Sequence, residues 1–153
     1  MIVKLLTDLD LINKTILNPK INKGVSDDYT NNQRIESLGG FLWLGVYDKA
    51  EYLGLIMAHK HSEIMYEVHT ALLPKAWGKK AIQCTKACYQ WLIDNTLCLR
   101  VITAVPENNP LALRLAKMTG FKEYGFNPKS IQKDKMLIGQ TMLGLNKEEY
   151  LCH

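Results

Sequence analysis

The sequence predicts a mixed α+β fold in which one central sheet is flanked by helices. Two observations lead to this fold class. Three strand-like runs follow one another between residues 41 and 72 with only short turns between them, which is typical of an antiparallel meander. From there to Phe121 the pattern alternates between strand and helix, which indicates a βαβα unit. We therefore expect a mostly antiparallel sheet of about six to seven strands, with about four helices.

The composition is that of a soluble globular protein. Of the 153 residues, 47% are hydrophobic and 22% are charged, so we expect a single domain spanning residues 1–153. No apolar run approaches the roughly 18 residues needed to cross a bilayer, and the acidic N-terminal stretch does not fit a signal peptide. A cytoplasmic location without membrane contact is predicted. The net charge of +4 is mild and the lysines are scattered, so nucleic-acid binding is not expected.

The first forty residues predict one strand and two helices. Ile2–Leu6 alternates weakly and is followed by a helix N-cap signal. Apolar residues at helical spacing predict a helix over Leu9–Leu17, which Asn18-Pro19 is expected to end. Residues 19–24 are then expected to form a loop, and a second helix is expected over residues 26–37.

The meander consists of three runs rich in large apolar residues. Strands are predicted over Phe41–Tyr47, Tyr52–His59 and Met65–Leu72, and Gly39-Gly40 breaks the chain before the first of them. The connections are short, at residues 48–50 and near Ser62-Glu63. Adjacent strands joined in this way pair antiparallel.

The βαβα unit begins with the third of these strands. A turn that starts at Pro74 leads into a helix over Ala81–Asp94, which carries one polar stripe. A β-branched strand over Leu99–Val105 is followed by an Asn-Pro helix start and a short helix closing on Gly120-Phe121. The turn between the first strand and the first helix has the size of an anion-binding loop.

The C-terminal region predicts two more strands. A short strand is expected over Lys122–Gly125, then a loop through Pro128, then a last strand around Lys135–Leu145. The tail over residues 146–153 is expected to lie at the surface.

Cysteine and histidine raise the question of metal binding. The four cysteines have no zinc-ribbon spacing and are interpreted as small buried hydrophobes rather than a metal or redox pair: Cys84, Cys88, Cys98 and Cys152. His59 and His61 place two imidazoles on one face of a strand, a geometry that can bind metal. Because the sequence offers no clear third ligand nearby, no metal site is predicted.

Two stretches carry a resemblance to a known family. Residues 74–82 read PKAWGKKAI, and residues 108–121 read NNPLALRLAKMTGF. At their observed separation, they resemble the two signature segments of the GCN5-related N-acetyltransferase (GNAT) superfamily, and the second segment is the more specific. The predicted order of elements resembles that family over nearly the whole chain. The motif-level match is confined to residues 67–121.

The resemblance implies a GNAT-like sheet whose fourth and fifth strands are parallel and splayed, and acetyl-CoA (or CoA) as cofactor. In that family, backbone amides at the start of the helix after the fourth strand hold the pyrophosphate. Carried over to this sequence, the implied cofactor-binding residues are Leu72, Trp77, Gly78, Lys79, Lys80, Ala81, Ile82, Asn109 and Arg114.

The sequence departs from the family pattern at four positions. Trp77 stands where Gln or Arg is usual, and Lys80 and Ile82 occupy positions where the family has Gly or Ala. Side chains there narrow the space for phosphate, although the charges of Lys79 and Lys80 compensate in part. Ala116 stands where many members carry a Tyr that protonates the departing thiolate.

Glu67 and His69 are the candidate catalytic residues. They lie two apart on one strand and therefore point to the same face, beside the expected cofactor site. Either side chain could accept the proton of a substrate ammonium, and a backbone N–H within residues 69–72 could stabilise the oxyanion. The alternative is that both simply face solvent or a neighbouring helix.

Two functions remain open at this point. The first is an acetyl-CoA-dependent N-acetyltransferase acting on an amine of a small molecule or a protein. The second is a catalytically weak or inactive GNAT-fold protein that contacts phage structural proteins, because residues 66–74 look similar to those of acetyltransferase-like proteins of tailed bacteriophages. Its location would then be the host cytoplasm or the virion. The acceptor surface is expected from residues 18–40 and 125–134, and the edge of the last strand offers a surface for a homodimer.

Overall fold

The computed structural model describes residues 1–151. Within that range the strands are β1 (Ile2–Leu5), β2 (Phe41–Asp48), β3 (Glu51–Ser62), β4 (Met65–Leu72), β5 (Arg100–Pro106), β6 (Lys122–Lys133) and β7 (Met136–Asn146). The helices are α1 (Leu9–Ile16), α2 (Pro19–Val25), α3 (Lys79–Asn95), α4 (Pro110–Met118) and α5 (Lys147–Leu151), and a 3-10 turn spans Pro74–Ala76. None of the described helices is long and apolar enough to cross a membrane.

The strands form one seven-stranded sheet in the order β1-β2-β3-β4-β5-β7-β6. Every neighbouring pair is antiparallel except β4 and β5, which run parallel. The predicted fold class is therefore confirmed.

The parallel pair is short, and this shapes the centre of the molecule. Strand β4 pairs with β5 only over Met65–Glu67, opposite Arg100–Ile102. Just beyond, the Thr103 hydroxyl donates a hydrogen bond to the Val68 carbonyl at 3.0 Å. The remainder of β4 then continues to Leu72 without a partner in β5. The two strands part there, and the gap between the second half of β4 and β5 is called the cleft below.

The two faces of the sheet bury separate apolar clusters because successive strand residues point to opposite sides. Leu44 and Ile56 lie in the cluster that contains α3, whose buried contributions include Cys84, Cys88 and Leu92. Their chain neighbours Trp43 and Leu55 lie in the other cluster, with Ile12 of α1 and Ile21 of α2. Helices thus cover both faces of the sheet.

The prediction of a loop over residues 19–24 is wrong, since these residues belong to α2. The Asn18 side chain caps this helix by accepting from the Lys20 amide, and Pro19 occupies the first turn. Proline is favoured at that position because its missing N–H would have no partner inside the helix. The Asn-Pro pair therefore begins a second helix as well as following the first.

The helix expected over residues 26–37 is also wrong. The Asp27 carboxylate accepts from the amides of Tyr29 and Thr30, which closes a local turn. The Asp28 carboxylate accepts from the amides of Asp134 and Lys135, more than a hundred residues away in sequence. Acidic side chains at this point stabilise turns and a long-range contact instead of a helix.

Strand β6 is much longer than predicted and continues through Pro128. It lies at the edge of the sheet, and its register with β7 shifts between Asn127 and Ile131. Proline is tolerated at such a position because no neighbouring strand needs its missing N–H. The predicted loop in this region is therefore replaced by an irregular part of an edge strand.

The C-terminal tail is only partly at the surface. Residues 147–151 form α5, and the Tyr150 hydroxyl donates to the Lys86 carbonyl at 2.9 Å. The last two residues of the predicted surface tail lie outside the described residues.

Three cysteines are buried and free, as the sequence predicts: Cys84, Cys88 and Cys98. Burial raises the pKa of each of these thiols, which keeps them protonated at neutral pH. The fourth, Cys152, lies outside the described residues.

Candidate functional site

The start of α3 presents backbone amides toward open space. Gly78 is the N-cap, with φ 76° and ψ −137°, a conformation that L side chains rarely adopt. No side chain caps the helix, and within the described chain the amides of Gly78, Lys79 and Lys80 have no hydrogen-bond acceptor. A Cβ added at Gly78 would meet nothing within 4 Å. Unpaired amides at a helix N-terminus favour a bound anion.

The two lysines at this turn have different surroundings. The Lys80 ammonium lies 2.9 Å from Asp48 Oδ2 at the end of β2. Each group favours the charged form of the other, so the pKa of Asp48 is lowered and that of Lys80 is raised. Lys79 is exposed and has no ion pair among the described residues. Lys79 is therefore the less constrained cation at the start of α3.

Trp77 joins the end of β4 to the turn before α3. Its indole Nε1 donates to the Leu72 carbonyl at 2.8 Å, while the residue as a whole remains 49% exposed. This hydrogen bond fixes the indole beside the end of β4. The residue at the family's Gln or Arg position thus has a defined structural contact here.

Glu67 and His69 lie where β4 and β5 part. Glu67 is the last β4 residue that pairs with β5, opposite Ile102. His69 Nε2 lies 3.3 Å from Glu67 Oε1, and both side chains share the sheet face of Ala71, on the side of α1 and α2. The His69 side chain is 43% exposed and that of Glu67 is 20% exposed. The pair therefore combines a half-hidden carboxylate with an accessible imidazole.

The carboxylate of this pair stays ionised. The hydrogen bond with His69, supported by that with His61, lowers the pKa of Glu67 to about 2, against the opposing effect of burial. A group with so low a pKa is a weak proton acceptor at neutral pH. Glu67 is better suited to orient a neighbouring imidazole or to attract a cation.

The second signature segment is placed at α4. Asn109 caps this helix by accepting from the Ala112 amide at 3.1 Å, and its Nδ2 donates to the Gly24 carbonyl at 3.2 Å. Arg114 is exposed, and Ala116 is buried against the core with 6% exposure. The Asn109 amide is thus occupied in holding α4 to α2.

The predicted site residues of the β4–α3 connection lie together, whereas Asn109 and Arg114 belong to α4. Leu72 and Trp77 are joined by a hydrogen bond, and the first turn of α3 follows directly. Ala81 is buried and Ile82 is half-buried in that turn. Residues 18–40 and 125–134 also meet, because the Lys133 ammonium donates to the carbonyls of Lys23 and Ser26.

The sequence singles out His59 and His61 as a histidine pair but does not show that both are neighbours of Glu67. His61 Nε2 lies 2.8 Å from Glu67 Oε2, and His59 stands directly opposite Glu67 in the β3–β4 register. Pairing residues outward from the predicted turn at Ser62-Glu63 would align His59 with the start of β4. The contact of His61 depends on a register shift that no local pattern reveals.

The sequence of residues 3–152 matches a protein-family model described as "Protein of unknown function (DUF2824)". The chain belongs to the DUF2824 family. This DUF2824 chain is also 27% identical over 119 residues to protein p31 of Acyrthosiphon pisum secondary endosymbiont phage 1, covering 78% of this chain and 77% of that protein.

Solved structures of N-acetyltransferases share the fold of this DUF2824 chain. Spermidine N-acetyltransferase from Vibrio cholerae, solved with CoA and spermine, aligns over 98% of this chain and 97% of that one, with 18% identity and a TM-score of 0.81. A GNAT-family acetyltransferase from Bacillus anthracis aligns over 96% and 95%, with 15% identity and a TM-score of 0.74. The resemblance to the GNAT fold is confirmed.

Proposed function

We propose that this chain binds acetyl-CoA, or CoA, and transfers the acetyl group to an amine. The observation that carries the proposal is the set of amides at Gly78, Lys79 and Lys80 that have no acceptor among residues 1–151. They follow β4, the strand that departs from β5. A diphosphate is the kind of anion that such amides bind. The Vibrio cholerae structure with CoA and spermine has the same fold, which supports the proposal.

The residues present fit this cofactor. Its phosphates would rest on the amides of Gly78, Lys79 and Lys80, since the space around a Cβ at Gly78 is open. Lys79 adds a positive charge that no acidic side chain of the described part of the chain pairs. The residues that would line the remainder of the site are Leu72, Trp77, Ala81, Ile82 and Arg114. When bound, the cofactor supplies an activated acyl group.

The Glu67–His69 pair would remove the proton from the amine. If His69 Nε2 carries the hydrogen that faces Glu67 Oε1, its Nδ1 keeps a free lone pair that can accept a proton. His69 then acts as the base, and Glu67 fixes its tautomer and orientation. An amide within residues 69–72 would stabilise the oxyanion.

Position 116 is an alanine and not a tyrosine, which lowers the expected rate of acetyl transfer but does not prevent the reaction. A general acid contributes roughly 10²- to 10⁴-fold. A thiol has a pKa near 8.5, so its thiolate can leave without a proton donor.

Binding is tested by thermal unfolding with and without acetyl-CoA. Cofactor at about 100 times its dissociation constant stabilises the folded state by about 2.7 kcal/mol, which at this length raises Tm by roughly 5–10 °C. No shift at millimolar acetyl-CoA would rule out the proposed site.

A pair of variants tests the amides themselves. Lys79→Ala removes the side chain and keeps the amide, whereas Lys79→Pro also removes the N–H at a helix position that tolerates proline. Loss of a side-chain charge at the surface should weaken binding by at most about 5-fold. Loss of a hydrogen bond to a charged group should weaken it by about 10- to 100-fold more. Equal affinities of the two variants would show that the phosphates do not lie on this amide.

A second function is favoured by the similarity to phage protein p31 and by the alanine at position 116. The chain would then retain the fold as an interaction module of a phage particle. Its expected behaviour is co-sedimentation with phage heads after co-expression with phage structural proteins, together with no response to acetyl-CoA. A free chain that sediments alone would count against this function.

A further inference from the structure

Three side chains on β3 and β4 bring metal-ligand atoms together. The nitrogens of His59 and His61 and a carboxylate oxygen of Glu67 all lie within 4.8 Å of one another. The two imidazole rings are 5.0 Å apart between centroids. Both histidines are exposed and Glu67 is half-buried, so the cluster is open to solvent on one side.

The β3–β4 ladder explains how His59 reaches this position. It lies opposite Glu67 in the antiparallel register, and directly opposed residues have side chains on the same face. His61 follows two residues later on β3 and would ordinarily point to that face as well. The sequence pattern His-x-His thus supplies two ligands, and the pairing supplies the third.

A bulge sets the position of His61. The register shifts between Lys60 and Ser62, so that His61 is the extra residue without a partner on β4. Bulges of this kind redirect a side chain. Here His61 Nε2 lies 2.8 Å from Glu67 Oε2. The chain turns back into β4 only a few residues after His61.

The donor set and its spacing suit a divalent transition metal. Two imidazole nitrogens and one carboxylate oxygen are the three-ligand set of open zinc sites, which leave a fourth position for water. Ligand atoms around tetrahedral zinc are about 3.4 Å apart, as follows from metal–ligand distances of about 2.1 Å. The 2.8 Å contact of His61 with Glu67 would lengthen slightly when a metal replaces the shared proton. The His59 ring would approach the other two ligand atoms by a small rotation at the exposed end of β3.

A fourth side chain, His69, contacts the Glu67 carboxylate oxygen that does not face His61. His69 Nε2 lies 3.3 Å from Oε1 of Glu67, whereas Oε2 is the oxygen that faces His61. An outer group bound to the second oxygen orients a ligating carboxylate. The cluster therefore contains a ligand set and one supporting contact.

We propose that His59, His61 and Glu67 bind one Zn²⁺ ion per chain, with His69 as a positioning residue. The site does not depend on acetyl-CoA binding and can exist in either of the two functions considered above. Because it includes Glu67, a bound ion would hold the carboxylate that the proposed transferase uses to orient His69. Zinc binding would also join the bulged end of β3 to the start of β4.

The test uses the full chain after chelator treatment and removal of the chelator. Isothermal titration with Zn²⁺ should give one site per chain. Titration with Co²⁺ should give the visible d–d bands of a low-coordinate site, without the charge-transfer band that thiolate ligands produce. No acetyl-CoA is present, so the outcome is separate from that of the cofactor titration, which is carried out with chelator.

Two variants remove proposed ligands, a third removes the positioning residue, and a fourth is a control. His59→Ala and His61→Ala should each weaken Zn²⁺ binding by at least about 100-fold, and His69→Ala by about 10-fold, the lower end of the effect of outer-shell groups. Glu63→Gln is the matched control, because Glu63 contacts Lys60 at 2.6 Å and does not belong to the cluster. Its affinity should equal that of the wild type. These side chains are exposed, so circular dichroism should show all four variants folded.

Several results would overturn the proposal. They are a wild-type chain that binds no Zn²⁺, unchanged affinity in His59→Ala or His61→Ala, and a Co²⁺ spectrum with thiolate charge transfer. A Cys152→Ser variant, which should bind as the wild type does, checks the fourth cysteine directly. Loss of binding in Cys152→Ser would place the metal elsewhere.

Discussion

Replacement of Gly54 by alanine should destabilise the sheet beside the proposed cofactor cleft. Gly54 lies in β3 between Val46 of β2 and Leu72 of β4, next to a shift in the β2–β3 register. Its φ is +130°, a conformation that L side chains rarely adopt. A Cβ built there would lie 2.5 Å from the Ala71 carbonyl oxygen and 2.7 Å from Leu72 Cα. Both neighbours are backbone atoms, so neither can rotate away.

The magnitude follows from two costs. A non-glycine residue in a strained backbone conformation costs about 1–3 kcal/mol. Displacement of packed neighbours costs a further amount of about 1–3 kcal/mol. Gly54→Ala should therefore lower the free energy of unfolding by about 2–6 kcal/mol. At about 2–4 °C per kcal/mol for a chain of this length, Tm should fall by roughly 4–24 °C.

Urea unfolding followed by circular dichroism measures the change, and Gly125→Ala is the matched control. Gly125 also lies in a strand beside a register shift, but a Cβ there would meet nothing within 4 Å. Its substitution should change stability by no more than about 0.5 kcal/mol. If Gly54→Ala were as stable as Gly125→Ala, the close approach of β3 to the end of β4 described above would be refuted.

Three further predictions concern a buried hydroxyl, a buried phenol and a surface ion pair. Thr85→Val should raise the free energy of unfolding, measured in urea, by about 1 kcal/mol, because the Thr85 hydroxyl is buried without a partner among the described residues. Thr85→Ser keeps the hydroxyl and should give no gain. A valine variant less stable than the wild type would contradict the reasoning. Tyr52→Phe should cost about 1 kcal/mol at neutral pH through loss of the 2.9 Å contact with Thr15. Burial raises the pKa of Tyr52 to about 12, so the folded chain holds this proton more tightly, and the wild type should lose stability between pH 10 and pH 12 more steeply than Tyr52→Phe does; parallel pH profiles would argue against a buried phenol. Asp48→Ala should strengthen acetyl-CoA binding by up to about 5-fold at low salt because it releases Lys80. Unchanged or weaker binding would contradict a contribution of Lys80 to the anion site.

Local patterns were sufficient for the elements that frame the cleft. The predicted bounds of β4 agree with the structure at both ends, Met65–Leu72, and the turn that begins at Pro74 leads into α3 as expected. These elements are specified by apolar runs, a proline and a glycine, which act on their own neighbours in sequence. Helix α2 is an exception: its Asn18-Pro19 start is equally local, but the same pair also follows the last turn of α1, so the pattern does not by itself distinguish the end of one helix from the start of the next.

Other parts of the chain take their form from distant partners. Asp28 binds amides of Asp134 and Lys135, and β6 continues past Pro128 because β7 pairs with the residues on either side. Single-sequence patterns do not contain such contacts, because neither partner has a local preference that reveals the other. The predicted helix over residues 26–37 and the predicted loop near Pro128 were wrong for this reason.

By itself, the sequence determined the three-strand meander, the βαβα unit that follows it, the glycine at the start of α3 and the placement of Glu67 and His69 on one strand face. Spacing and capping along the chain are sufficient for each of these. Only the tertiary structure decided that β4 leaves β5 after Glu67, and that His59 and His61 meet the carboxylate of Glu67. Strand register and a bulge control those contacts, and both arise from pairing between residues that the chain brings together only when it folds.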